Sequence, residues 1–236
     1  MDNKKRITLS VPSEKEITEL YKRIQRNQSE NKLYQKQLDR FFSGSMPTNE
    51  VITVCGTPPV LKLLDSKAKK IIINQSDLKN ALADRHKGNN SDHTEPHHID
   101  KDEIYKLPEQ IRNPVMILIG NIRNDNSLVL ITELKNSNGE HLIVPIALDR
   151  QNGKVSRITT IYGKKNLGNY FTANLFGILA INKEKADRLC SDIEFQLPKS
   201  TYELAIRYDD SIAYSFDYVK RPYFETKDNE VNSKKK

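Results

Sequence analysis

Over residues 13–43 apolar side chains recur at a helical period. Ile17, Leu20, Tyr21 and Ile24 share one face, and Tyr34, Leu38, Phe41 and Phe42 continue it less regularly. Ser13-x-x-Glu16 forms a capping box at the start, so the pattern predicts one long helix or two. "SGSMPTNE" breaks it. Strand-like and helical patterns then alternate. "VITVC" is followed by a helix with Thr57 as cap and Pro58 at its first position, and "KKIII" by a helix capped by Ser76. After the loop "KGNNSDHTEP", "DKDEIYKLPEQI" reads as one acid-started helix carrying Ile104, Leu107 and Ile111.

At Pro114 the period changes. "PVMILIG", "SLVLITELK", "EHLIVPIALD" and "VSRITTIYGK" are strands, and the Asn-Gly pairs at 138–139 and 152–153 are the dipeptides favoured in tight hairpins, which predicts an antiparallel meander. "NLGNYFTANLFG" reads as a helix, "ILAI" as a strand, and "NKEKADRLCSDI" as a helix started at Asn182. Some strand-like alternation follows without an evident partner, and "ETKDNEVNSKKK" has the composition of a disordered tail. The expected architecture is α+β: an antiparallel sheet of four to five strands with helices packed against it. The expected units are a helical extension at 1–46, the α+β domain at 47–199, and a C-terminal segment at 200–236.

Composition adds little to this picture, but charge distribution adds something. The chain has 236 residues, 36% of them hydrophobic, enough for a core of ordinary size. No apolar run is long enough for a membrane span, and no secretory signal follows the basic start, so a cytoplasmic protein is expected. Cys55 and Cys190 form no C-x-x-C pattern, which gives no support to a disulfide framework or a zinc site. The net charge is +7, and residues 150–190 hold eight basic side chains against two acidic ones. Such a segment is either a solvated basic face or a surface for a polyanion.

His86, His93, His97 and His98 straddle a Gly/Asn/Ser-rich loop without metal-ligand spacing, and no phosphate-binding loop or hydrolase elbow is present. No metal or cofactor is expected. What remains is a metal-independent kind of site. "RITTIYGKK" offers Arg157, Thr160, Tyr162, Lys164 and Lys165 within nine residues. RNA cleavage without a metal needs a base for the 2′-hydroxyl, an acid for the leaving 5′-oxygen, and cations for the phosphorane charge. On a regular strand Thr160 and Tyr162 would share a face with Ile158, leaving Ile161 on the other. A structural edge strand with a core tyrosine is the competing interpretation. Glu133 interrupts the apolar strand "SLVLITELK", either because it is simply exposed or because a carboxylate is needed there.

These elements in this order, above all the run from His97 through Leu107-Pro108 to Pro114 and the pair "ITELK" and "ITTIYGK", resemble the C-terminal domain of phage MuF-type head proteins over about residues 51 to 198. That domain is grouped with the barnase, EndoU, colicin and RelE-like nuclease fold. The resemblance implies a toxin-like, metal-independent endoribonuclease domain. It puts the family's histidine on His97, its acid on Glu133, its hydroxyl on Thr160 and its tyrosine on Tyr162. Arg157, Lys164 and Lys165 would then contact RNA, and a phage or immunity protein would bind through the N-terminal helix. One departure stands out: a turn that commonly contains serine in the family reads Gly120-Asn121 here. It favours the alternative, a catalytically inactive nucleic-acid-binding or phage assembly module.

Overall fold

The computed structural model describes residues 14–64, 66–83, 98–120, 127–149 and 153–208. Ser13, His86, His93, His97, Asn121 and the C-terminal tail lie outside them. Helix α1 (Glu14–Phe42) is continuous, and its second half does the packing: Tyr34 and Leu38 are fully buried, with Phe41 and Phe42 against the same core. Tyr21, expected on the buried face of the first half, is 61% exposed.

β1 (Ile52–Gly56), α2 (Pro59–Leu63), β2 (Lys70–Ile73) and α3 (Gln75–Leu82) follow. Helix α2 begins one residue later than its sequence suggests. Pro58 takes the N-cap position, and the Thr57 N–H donates to Lys69 O (3.1 Å) instead of helping to start a helix. α3, in contrast, starts earlier than expected, at Gln75, with Asn74 rather than Ser76 at its N-cap.

The helix expected over "DKDEIYKLPEQI" is two, α4 (Lys101–Tyr105) and α5 (Leu107–Arg112). Pro108 is the reason: it has no N–H to offer the carbonyl four residues earlier, and it disfavours a helical continuation before it. That carbonyl belongs to Ile104, and the buried Tyr34 hydroxyl of α1 donates to it at 2.9 Å.

β3 (Met116–Ile119), β4 (Ser127–Lys135), β5 (His141–Asp149), β6 (Val155–Ile158) and the short β7 (Tyr162–Gly163) build the meander. α6 (Leu167–Asn174), a 3-10 turn (Leu175–Gly177), β8 (Ile178–Asn182), α7 (Lys183–Asp192), α8 (Lys199–Leu204) and β9 (Ile206–Tyr208) complete the order. Asn182 caps α7 as expected, its side chain accepting from the Lys185 N–H.

The α+β class holds, but the sheet is larger than the four to five strands expected, and it is mixed. Among the described residues it has nine strands in the order β1-β2-β6-β5-β4-β3-β8-β9, with β7 paired to β5. β2 joins β6 in parallel and β9 joins β8 in parallel, so the antiparallel meander is extended on both sides by strands from far along the chain. One face carries a core in which Leu78 of α3, Ile104 of α4 and Leu107 of α5 meet Leu130, Leu142 and Val144. On the other, Phe171 of α6 and Leu189 of α7 meet Ile131 and Ile143.

Candidate functional site

Asn138-Gly139 makes the turn between β4 and β5, with Gly139 at φ 77°, a left-handed conformation that glycine adopts without steric cost. Asn136 Oδ1 accepts from the Asn138 and Glu140 N–H groups and holds the turn closed.

Just before this turn the β4–β5 register slips. Ile131 pairs with Ile143 and Lys135 with His141, so Thr132, Glu133 and Leu134 together face Leu142 alone. A bulge of this kind re-aims side chains. The Thr132 hydroxyl donates to Leu142 O (2.9 Å), and the Glu133 N–H, released from the ladder, donates to Gln110 Oε1 of α5 (2.8 Å). Leu134 enters the core beneath α3–α5, while Glu133 turns toward α7, where its carboxylate meets Lys185 Nζ at 2.7 Å and Arg188 Nη2 at 3.3 Å. Lys185 Nζ also donates to Asn113 O (2.9 Å). Burial alone would raise the Glu133 pKa, but the hydrogen bonds and charges of Lys185 and then Arg188 outweigh it and hold the carboxyl below its ordinary range.

Beyond the turn, the same edge of the sheet bounds a cleft of about 490 Å³ between the β4–β5 turn, the start of α6 and the chain after α7. His141, Lys164, Lys165, Asn166 and Asn169 line it. His141 is 8% exposed; its Nδ1 lies 3.3 Å from Thr132 O, and its Nε2 has no hydrogen-bond partner among the described residues. A carbonyl only accepts, so Nδ1 carries the proton, and in the neutral ring Nε2 is the unprotonated nitrogen. Burial keeps the ring neutral by lowering its pKa. Lys164 is fixed from two sides: its N–H donates to His141 O (3.1 Å), and its ammonium lies 5.3 Å from the centre of the Tyr170 ring. α6 starts here at Asn166 without a side-chain cap, so its first N–H groups and its dipole favour an anion beside the two lysines.

The residues predicted from sequence are distributed unevenly over this geometry. Lys164 and Lys165 are in the cleft. Tyr162 pairs with Ile143 and packs beside the core under α6, and burial raises its phenol pKa. Thr160 is half-buried in the irregular stretch between β6 and β7. The strand alternation expected there fails: Ile158 and Ile161 both enter the core under α3–α5, because the chain leaves the ladder after the Thr159 N–H has donated to Pro145 O (3.1 Å). Arg157 pairs with Ala147, four residues along β5 from the partner of Tyr162 and therefore about 13 Å away. Its guanidinium faces Asp77 of α3 at 3.9 Å. His97 lies outside the described residues. Its neighbour His98, at φ 46°, accepts on its carbonyl from both the N–H and the hydroxyl of Ser137, in the turn beside the cleft. Gly120 closes the β3–β4 hairpin at the other end of β4, where the Ser127 hydroxyl fills the space that a side chain at 120 would need.

Residues 88–188 match the Phage MuF-C-terminal domain family. No curated protein and no solved structure matches the chain. The matched stretch contains the bulge, α6 and most of the cleft, whereas Ile193, Glu194 and Phe195 on the cleft wall and α1, β1, β2 and β9 lie outside it.

Sequence reasoning missed His141, Lys185 and Arg188. His141 opens a strand directly after a turn, where a polar residue attracts no notice, and Lys185 looks like any basic residue on an exposed helix. The one available signal was a carboxylate at Glu133 inside an apolar strand, which demands cations opposite. Both cysteines are buried, and burial pushes their thiols up to about 12 for Cys55 and about 11 for Cys190, which leaves neither suited to act as a thiolate nucleophile. No helix among the described residues is long and apolar enough to cross a membrane.

Proposed function

We propose that this phage-related domain is a metal-independent endoribonuclease that binds the RNA backbone in the cleft between the β4–β5 turn and the start of α6. One observation carries the reading: Lys164, Lys165 and the uncapped start of α6 converge on a cleft that also contains a neutral, tautomer-fixed histidine. Two cations and helix N–H groups suit a phosphate and its developing charge. His97 is assigned as general acid or base, and the His98–Ser137 contacts support this by tying its neighbour to the rim of the cleft. His141 is the second proton-handling group. Glu133, held ionised by Lys185 and Arg188, fits an orienting role better than that of a proton donor. Tyr162 and Thr160 are assigned to leaving-group or phosphate contacts, and Arg157 to a more distant stretch of backbone.

The test is incubation of total RNA with the purified protein in EDTA, beside His97→Ala and the double variant Lys164→Ala/Lys165→Ala. Fragments with 2′,3′-cyclic phosphate ends from wild type alone support the reading. A second reading, a non-catalytic binding or assembly module, is favoured by the closed state of two groups: the Glu133 carboxylate is doubly ion-paired, and His141 Nε2 has no contact with solvent. RNA binding without cleavage by wild type would select it.

A further inference from the structure

A second cavity, of about 180 Å³, lies between the first half of α1 and the "GTPP" turn that links β1 to α2. It sits apart from the cleft, on elements that except for Arg112 precede the matched segment. Its lining is heavily biased in charge: Arg23, Arg26, Lys62, Lys69 and Arg112 surround a single carboxylate, Glu30. That carboxylate is already engaged. Glu30 Oε2 accepts from the Gly56 N–H (3.0 Å) and from Arg112 Nη2 (2.9 Å), and Arg112 Nη1 reaches Asn31 Oδ1 (2.7 Å). Gly56 is needed for this, because a Cβ there would stand 2.9 Å from Glu30 Oε1.

The Glu30–Arg112 pair is thus a fixed wall, and it leaves Arg26, Lys62 and Lys69 uncompensated. Arg26, Lys62 and Lys69 make no ion pair among the described residues. Thr57 also lines the cavity; it is 7% exposed, and its hydroxyl has no partner among the described residues. A buried hydroxyl without an acceptor costs free energy, and like charges gathered around one cavity repel. An anion in the cavity would relieve both.

We propose that this cavity binds a phosphoryl group. Its excess of positive charge is more than one carboxylate neutralises, and a phosphoryl group offers higher charge with several acceptor oxygens for the arginine forks, the lysines and the Thr57 hydroxyl. The phosphoryl group belongs either to a small phosphoanion or to a nucleic-acid backbone, which the same chemistry would recognise.

The experiment uses the full chain, inorganic pyrophosphate and a fluorescent single-stranded RNA. Pyrophosphate is expected to raise Tm by mass action. Its binding should weaken about tenfold in Arg26→Ala/Lys62→Ala and also weaken in Thr57→Val, a variant that removes only the hydroxyl. The same losses should appear in a Lys164→Ala/Lys165→Ala background, which separates this site from the proposed RNA cleft. If, in that background, pyrophosphate also displaces the RNA, the natural phosphoryl group is that of a backbone; if it binds without displacing RNA, it is that of a small phosphoanion. Pyrophosphate that does not bind, or that binds wild type, Arg26→Ala/Lys62→Ala and Thr57→Val alike, overturns the proposal.

Discussion

Lys185 Nζ stands 2.7 Å from Glu133 Oε2, with the lysine side chain 9% exposed and the glutamate 38% exposed. The pair joins the β4 bulge to α7, and Lys185 gains a second acceptor in Asn113 O. Lys185→Met keeps the length of the side chain but strips both acceptors of their donor. The partial exposure of Glu133 and the remaining Arg188 contact soften the effect, so a loss of about 1–2 kcal/mol is expected in urea unfolding. Because the folded-state pKa of Glu133 is depressed, its contribution is present above the ordinary carboxylate pKa and fades as pH falls through the lowered value. The difference between wild type and Lys185→Met should therefore shrink only in acid.

The window for His141 is higher. Burial lowers its pKa from 6.5, so the unfolded chain binds the proton that the folded state refuses. Stability contributed by the neutral ring is full above pH 6.5 and is lost as pH drops from there toward the folded value. In His141→Asn the amide replaces Nδ1–H as donor to Thr132 O but does not titrate. Its Tm should match wild type more closely at pH 5.5 than at pH 7.5. If His141 handles a proton in the cleft, this folded variant should also lose RNA cleavage. Equal pH dependence in the two proteins would contradict the assigned protonation.

Tyr34→Phe tests the tie between α1 and the proline break. The substitution leaves packing intact and removes the donor to Ile104 O, a carbonyl that Pro108 cannot serve. An expected cost of about 1 kcal/mol follows for the lost hydrogen bond, because the Lys106 N–H still reaches Ile104 O. Leu38→Ala, which empties a fully buried site on the same helix, should cost about 2–4 kcal/mol. Chemical denaturation of both variants measures the contribution of α1 to the core.

For Lys164 and Lys165 the informative quantity is salt dependence. Each phosphate neutralised on a single strand contributes about 0.7 to the slope of log affinity against log salt, so the double alanine variant should flatten that slope by about 1.4. An unchanged slope would mean that the RNA lies elsewhere. Fluorescence anisotropy across a salt series gives the answer directly.

Local chemistry made part of this fold legible and hid the rest. Asn138-Gly139 and Asn182 act through neighbours a few residues away, so the hairpin and the α7 cap could be read from short strings. Pro108 is equally local, but Ile104, Leu107 and Ile111 keep a helical period across it and mask the break between α4 and α5. The sheet edges were not legible: Lys70 to Ile73 find Val155 to Ile158 more than eighty positions away, and nothing in either strand names the other. The candidate site divides in the same manner. Lys164 and Lys165 stood out as a basic run, whereas His141 matters because of what the bulge and α6 place around it. Thr160 and Ile158 were assigned to a shared face on the assumption of an unbroken strand, which residues 159–161 do not form.

The order of strands has a practical consequence for anyone who would work with the family-matched segment alone. Within residues 88–188, β6 and β8 are the outer strands of the paired set; β2 covers the first and β9 the second, and both come from outside the segment. Excision along the bounds of the match would bare two lengths of unpaired backbone, a template for intermolecular pairing. A fragment cut there should precipitate or form soluble aggregates, while one running from α1 through β9 should remain monodisperse. The segment that the family model matches is thus smaller than the unit that protects its own edges.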